Sequence, residues 1–155
     1  MTFRIRGLDL QHFQPLVGLS DDELRARGAR RVVADAMPGY PDRIELRDAE
    51  PGEQLLLVNY MHQPAAGPYR ASHAIYVLEH PREPFDRVDE IPPVLRSRMI
   101  SLRAFDAEDM IVRAELCAGA DIDRSINELF RSSTAEYLHL HYATRGCFAC
   151  RVDRA

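Results

Sequence analysis

The stretch Met99-Ile-Ser-Leu-Arg-Ala-Phe105-Asp106-Ala-Glu-Asp109-Met110-Ile-Val-Arg-Ala-Glu-Leu-Cys117 places two strand-like segments on either side of a short polar turn. In the second segment charged residues at 113 and 115 alternate with apolar ones, which are Met110, Val112, Ala114 and Leu116. A period of two is typical of a strand with one buried face. We therefore predict a β-hairpin in which the apolar side chains of the second strand lie on one face and Arg113 and Glu115 on the other.

Outward from this hairpin, most of the chain consists of short apolar or alternating runs bounded by Gly, Pro and Asp. Strands are predicted near the start of 3–19 and at Ala29–Ala36, Arg43–Arg47, Leu55–Met61, Ala74–Leu78, Tyr137–Ala143 and Phe148–Val152. The connections are mostly too short for helical crossovers. We expect an α+β fold in a single globular domain over residues 1–155, with a largely antiparallel β-sheet and two or three short helices.

Two helices have sequence signals of their own. Ser20 and Glu23 form a capping-box pattern, and Gly28 ends the predicted helix Asp21–Arg27. Asp121 is the expected N-cap of a second helix. Its apolar residues recur at helical spacing and are Ile122, Ile126, Leu129 and Phe130.

The composition restricts the partners and the location. A net charge of −4 argues against general nucleic-acid binding, which needs a basic face. No apolar run approaches the roughly 20 residues of a membrane helix, and charges near the start interrupt any signal-peptide core. Three cysteines are too few and odd in number for a disulfide framework, so we expect reduced thiols and a cytoplasmic location.

All 20 basic residues are arginine. Schiff-base chemistry, pyridoxal phosphate anchoring and the P-loop lysine therefore lack the amine that they need. An anion site in this chain must use guanidinium groups or backbone amides, which suit carboxylates and phosphates bound through two hydrogen bonds.

The C-terminal segment from His139 to Ala155 concentrates reactive side chains. Zinc could be bound by His139, His141, Cys147 and Cys150. The extended pattern argues against this, because residues three apart in a strand lie on opposite faces, which would place Cys150 in the core with Phe148 and Val152. A redox Cys-x-x-Cys pair would need a helix after it, and too few residues follow. We expect no metal and no cofactor.

Cys147 is the candidate nucleophile of this segment. Gly146 precedes it, and His141 or His139 could accept its proton if the fold brings them together. A small cysteine packed in a strand is the alternative interpretation.

The loop His62–His73 is a second candidate, because long loops often carry functional residues. Tyr69, Arg70 and Ser72 offer a hydroxyl, a guanidinium and a second hydroxyl within four residues, and His62 begins the loop. A solvated loop with Arg70 paired to a nearby carboxylate is the alternative.

Several motifs together resemble the bacterial family catalogued as domain of unknown function 1203. They are Pro38-Gly39-Tyr40-Pro41, Gly52-Glu53-Gln-Leu-Leu-Leu57, Pro68-Tyr69-Arg70, Arg98-Met-Ile-Ser-Leu-Arg103 and Gly146-Cys147-Phe-Ala-Cys150-Arg151-Val152. The resemblance covers nearly the whole chain and implies a single-domain bacterial protein, without an activity. Asp42 stands where that pattern has cysteine, and Cys150 where it has alanine.

We therefore expect a pocket for a small anionic molecule where the loop and the C-terminal segment meet. Its predicted lining is His62, Tyr69, Arg70, Ser72, His141, Arg145 and Cys147. A homodimer or protein-interaction module without activity is one alternative, and an enzyme that uses Cys147 and His141 is another. Neither nucleic acid nor a membrane is an expected partner.

Overall fold

The computed structural model describes residues 1–155 and contains nine strands in two sheets. The strands are β1 (Phe3–Arg6), β2 (Arg30–Val33), β3 (Gln54–Gln63), β4 (Ala71–Leu78), β5 (Asp86–Val88), β6 (Met99–Phe105), β7 (Ile111–Ala118), β8 (Tyr137–Tyr142) and β9 (Phe148–Arg154). Six form one sheet in the order β5-β1-β9-β8-β6-β7, and three form another in the order β2-β3-β4. Every pairing between these strands is antiparallel.

Three short helices complete the fold: α1 (Asp21–Ala26), α2 (Pro93–Arg96) and α3 (Ile122–Phe130). The predicted α+β class is therefore confirmed. The capping box of α1 is present, because the Ser20 hydroxyl accepts from the Glu23 amide and the Glu23 carboxylate accepts from the Ser20 amide. Asp121 does precede α3, but its side chain makes no capping hydrogen bond. None of the helices is long and apolar enough to cross a membrane.

The main core lies between the six-stranded sheet and α3. Its cluster of 22 buried residues includes Ile126 and Leu129 of the helix and Leu138 and Leu140 of β8. A separate cluster of eight packs α1 and the preceding segment against β3 and β4. Tyr60 and His62 continue along β3 until they meet β8 and β9 on the face opposite α3. The two sheets therefore meet at the polar residues of β8.

The hairpin of β6 and β7 is confirmed, and the apolar and the charged side chains of its second strand do lie on opposite faces, but the apolar face is the one that is not covered. Val112, Ala114 and Leu116 are exposed, whereas Arg113 lies on the side of α3 and approaches Glu128 at 3.9 Å. The reason is that β7 is an edge strand that only α3 covers. Its alternation is real, but the uncovered face is the apolar one.

The predicted strand Arg43–Arg47 is wrong, because the Asp42 carboxylate competes for its backbone amides. Asp42 Oδ2 accepts hydrogen bonds from the amides of Ile44 and Glu45, which is a local turn. Leu46 then adopts a left-handed conformation with φ of 52°. Only isolated bridges remain around this segment, which lies against β4.

Candidate functional site

The loop between β3 and β4 (residues 64–70) and the C-terminal segment do not line one shared cavity. The ring of Tyr69 lies edge-on to Phe105, with centroids 6.2 Å apart. Phe105 pairs with Tyr137 at one end of β6, whereas Ile100 pairs with Tyr142 at the other end. Five residues of strand separate these ends by about 17 Å. The loop therefore lies at the end of the sheet opposite Tyr142.

Of the predicted loop residues, Tyr69, Arg70 and Ser72 are exposed, and Arg70 donates a hydrogen bond to the carbonyl of Pro64. Both strands extend further into the predicted loop than expected, so only residues 64–70 connect them. His62 belongs to β3 and lies near His141, as described below.

A different cavity, of about 420 Å³, lies between β4 and the turn that joins β8 to β9. Arg145 and Cys147, both predicted from the sequence, line it. The other lining residues are Pro38, Gly39, Pro41, Arg43, Leu57, His73, Ala74, Ile75, Tyr76, Ser97, Arg98, Met99, Tyr142 and Thr144. Of the 16 lining residues, three are arginines (Arg43, Arg98 and Arg145) and none is an Asp or Glu, although the chain has a net charge of −4.

Arg43 forms the buried side of this cavity. Its side chain is 1% exposed and donates to the carbonyl of Phe148 at 2.8 Å and to the carbonyl of Pro41. A third hydrogen bond, of 3.1 Å, reaches the sulfur of Cys147. The guanidinium also lies over the ring of Tyr142, 4.9 Å from its centroid. No carboxylate neutralises this buried charge, so the inner wall of the cavity is positively charged.

Arg98 also lies over the ring of Tyr142, 5.3 Å from its centroid, and is held by the Asp48 carboxylate at 2.6 Å. The Tyr142 hydroxyl is buried without a hydrogen-bond partner. Burial raises the pKa of Tyr142, so the group remains an O–H donor at neutral pH. Arg145 is exposed at the entrance. The cavity thus combines fixed inner donors with one free outer cation.

The pair suggested for catalysis is not assembled in this structure. Cys147 takes its hydrogen bond from Arg43, while His141 Nδ1 bonds the carbonyl of Gly146 at 3.0 Å. No hydrogen bond joins Cys147 to His141 or His139. Cys147 is nevertheless a wall residue of the cavity, so it can contact a bound molecule.

The four residues considered for zinc are also dispersed. Cys150 is fully buried in the main core, where burial raises its pKa to about 12. Phe148 does not join it there, contrary to prediction, because a register shift between Leu140 and His141 turns Phe148 to the opposite face. The ring of Phe148 instead stacks on His62 with centroids 5.4 Å apart.

His62, His139 and His141 form a cluster beside Phe148. His139 and His141 share one face of β8, and His62 approaches from β3 of the other sheet. One ring nitrogen from each lies within 4.8 Å of the others. Buried nitrogens without a hydrogen-bond partner are His62 Nδ1, His139 Nδ1 and His141 Nε2. These three residues could hold a metal ion.

The three imidazoles are neutral at pH 7. Burial lowers the pKa of His62 to about 4 and the pKa values of His139 and His141 to about 3. The positive charge of nearby Arg103 acts in the same direction. Neutral imidazole is the form that can bind a metal.

Sequence reasoning missed Arg43, Arg98 and Tyr142 as cavity residues. A signal for the first two was present, because each lies in or beside a family motif to which no role was given. The segment 38–41, the end of 52–57, the start of 98–103 and the start of 146–152 all reach this cavity. Four of the five motifs therefore meet at one place.

The model of the family described as "Protein of unknown function (DUF1203)" matches residues 39–154. That region includes the three clustered histidines and the cavity residues Arg43, Arg98 and Cys147. No curated protein and no solved structure matches the chain.

Proposed function

Since this chain belongs to the DUF1203 family, which has no assigned activity, we propose from the geometry that it binds a small anionic molecule in the arginine-lined cavity. One observation carries this proposal: three guanidiniums and no carboxylate form the wall of a cavity of about 420 Å³. Cavities of this size accommodate small metabolites. Planar guanidiniums bind carboxylates and phosphates through paired hydrogen bonds.

The three arginines have different roles in this proposal. Arg43 and Arg98 are held by protein partners, so they lose little conformational entropy when a ligand binds. Arg43 supplies a positive charge that no carboxylate balances, whereas Asp48 balances the charge of Arg98. Arg145 is exposed and makes no hydrogen bond or ion pair in the structure, so it is free to close over an anion. The Tyr142 hydroxyl and the Cys147 thiol complete the polar contacts.

The Arg145→Ala variant tests this role. We expect it to weaken binding of inorganic phosphate or citrate about tenfold, because one charge-assisted hydrogen bond contributes about 1.5 kcal/mol or more. The unfolding free energy should stay within about 0.5 kcal/mol of wild type, because Arg145 is exposed. Isothermal titration calorimetry at low and moderate salt measures the affinity.

Arg124→Ala is the matched control, because Arg124 is also exposed but lies on α3, away from the cavity. It should leave anion affinity unchanged. Equal weakening by both variants would point to general charge attraction and contradict the proposal. So would the failure of wild-type protein to bind either anion at millimolar concentration.

A cytoplasmic location is part of the proposal. All three cysteines are free and buried, which fits a reducing compartment.

The exposed face of β7 favours a second candidate function, a homodimer formed through this edge strand. Val112 is 42% exposed, Leu116 65% and the adjacent Met99 46%. An apolar edge strand with free backbone groups is suited to pairing with another copy.

The Leu116→Arg variant tests the homodimer. We expect wild-type protein to sediment as a dimer and Leu116→Arg as a monomer, because a buried unpaired charge opposes association. Val33→Arg is the control, since Val33 is 53% exposed but lies on the edge of the other sheet. A wild-type monomer at high micromolar concentration in analytical ultracentrifugation rules this candidate out.

A further inference from the structure

We propose that His62, His139 and His141 form a binding site for a zinc-type transition-metal ion, with an anion or water as its remaining ligand. The site uses none of the residues of the arginine-lined cavity. The proposal therefore stands or falls independently of the anion binding proposed above.

Each of the three imidazole rings has a buried nitrogen without a hydrogen-bond partner. His139 and His141 are 3% and 1% exposed, and each has a buried ring nitrogen without a hydrogen-bond partner. Buried polar atoms are normally paired, because each unpaired one costs about 1–3 kcal/mol. Each of the three rings has such a nitrogen, and one ring nitrogen of each lies within 4.8 Å of those of the other two, which is close enough for a single ion to bind all three rings.

The hydrogen bond that holds His141 also favours metal binding. The Nδ1 of His141 bonds the carbonyl of Gly146 at 3.0 Å, which requires the proton to be on Nδ1. Nε2 is then unprotonated, buried and without a hydrogen-bond partner, so its lone pair is available to a metal ion. Metal-binding histidines characteristically donate their second N–H to a carbonyl or carboxylate in this way.

The donor set selects the metal. Three neutral imidazole nitrogens suit zinc and its neighbours in the first transition row, whereas calcium and magnesium need oxygen ligands. Aromatic rings of Phe105, Tyr137 and Phe148 surround the cluster and keep the donors dry. In a tetrahedral zinc site the nitrogens stand about 3.4 Å apart. Binding therefore needs ring rotations that draw the donors inward by about 1 Å.

Arg103 indicates the charge of the remaining ligand. It lies opposite His139 in the pairing of β6 with β8 and is half-buried. No carboxylate pairs with it, and burial lowers its pKa. Three histidines leave one position open on a tetrahedral ion. An anion in that position would contact both the metal and the guanidinium, and its negative charge would offset part of their combined positive charge in a partly buried site.

Titration of the full-length, chelator-treated protein with Co²⁺ and Zn²⁺ tests the site. We expect one Co²⁺ per chain with the visible d–d absorption of a tetrahedral ion, and displacement of Co²⁺ by one equivalent of Zn²⁺. His62→Gln should lower the Zn²⁺ affinity at least about 100-fold, because it removes one of three protein ligands. His62 is only partly buried, so this variant is the one best able to keep its fold, which circular dichroism verifies.

His80→Gln is the matched control, because His80 is exposed and outside the cluster. It should bind Zn²⁺ like wild type. Absence of tetrahedral absorption, or equal weakening by His62→Gln and His80→Gln, overturns the metal site.

The same Co²⁺ protein tests the anion. Azide should change the visible spectrum of wild-type protein, and Arg103→Met should need at least about fivefold more azide for the same change, with Co²⁺ affinity retained. An unchanged azide response in Arg103→Met overturns the role of Arg103 and leaves the metal site intact.

Discussion

Replacing Asp42 by alanine is expected to lower the free energy of unfolding by about 3–5 kcal/mol. Asp42 is fully buried, and its carboxylate accepts three backbone hydrogen bonds. Oδ1 accepts from the amide of Leu78 at 2.7 Å, and Oδ2 accepts from the amides of Ile44 and Glu45. Alanine leaves three N–H groups without an acceptor in a site that water does not reach. Urea denaturation followed by circular dichroism measures the loss.

Two further variants define the origin of this effect. Asp42→Asn keeps one acceptor oxygen but turns an NH₂ group toward backbone donors, so we expect an intermediate loss. Asp35→Ala removes an exposed carboxylate that accepts only the Tyr40 hydroxyl, and should cost less than about 1 kcal/mol. A loss below 1 kcal/mol for Asp42→Ala would contradict the role assigned to the carboxylate.

The role of Asp42 also bears on the cavity. The turn that it closes fixes Pro41 and Arg43, and both line the cavity. Asp42→Ala should therefore weaken phosphate or citrate binding as well as stability.

The parts of the fold that could be predicted are those in which neighbouring residues carry the signal. The capping box at Ser20 and Glu23 lies within four residues, and the apolar stripe of α3 lies within nine. The β6–β7 hairpin likewise joins adjacent segments. Local spacing is sufficient for such elements because their hydrogen bonds are local.

What local spacing missed depends on packing and on side-chain hydrogen bonds, neither of which a count of apolar positions contains. Asp42 binds the amides of Ile44 and Glu45 and so prevents a strand there. Which face of β7 is buried depends on where α3 packs, and the alternation of Val112 and Leu116 cannot reveal it. The shift that turns Phe148 toward His62 is a property of the pairing between β8 and β9. Counting every second residue from Cys150 therefore assigns Phe148 to the wrong face of the sheet.

The residues of the candidate site likewise divide into those that local sequence indicates and those that only the fold brings together. Residues 139, 141, 145 and 147 were singled out because they lie together in the sequence. His62 was predicted to join the C-terminal segment and does lie beside His141, with ring centroids 4.9 Å apart. Arg43 contacts Cys147 across 104 positions of sequence, and no pattern within either segment contains that contact.

Lowering the pH from 7 to about 5 in the presence of a chelator is expected to reduce the unfolding free energy by about 2 kcal/mol for each of His139 and His141. Burial lowers their pKa values from 6.5 to about 3 in the folded protein. The unfolded chain therefore takes up protons first as the pH falls. The stability that the neutral rings contribute is complete above the unfolded pKa of 6.5 and declines below it, down to the folded value near 3.

The charged groups around these rings lower the pKa values of His139 and His141 further. Arg103 on β6, Arg151 on β9 and His62 on β3 all oppose a proton on His139. Arg103, His62 and His73 of β4 oppose one on His141. No carboxylate faces either ring to favour the charged form. Protonation in place would add a buried cation to a positive surrounding, so unfolding is the route by which the rings become charged.

The His139→Phe variant isolates the contribution of one ring. Phenylalanine fits among Phe105, Tyr137 and Phe148, and it cannot bind a proton. We expect its loss of stability between pH 7 and pH 5 to be about 2 kcal/mol smaller than that of wild type. His80→Gln removes an exposed histidine and should keep the wild-type loss.

Comparing variants cancels the effect of other titrating groups on the pH dependence. One of these is Asp42, whose pKa is raised by burial and which therefore acts in the opposite direction. Equal pH dependence in wild type and His139→Phe, measured by urea denaturation at both pH values, would show that the ring is not held neutral by its surroundings.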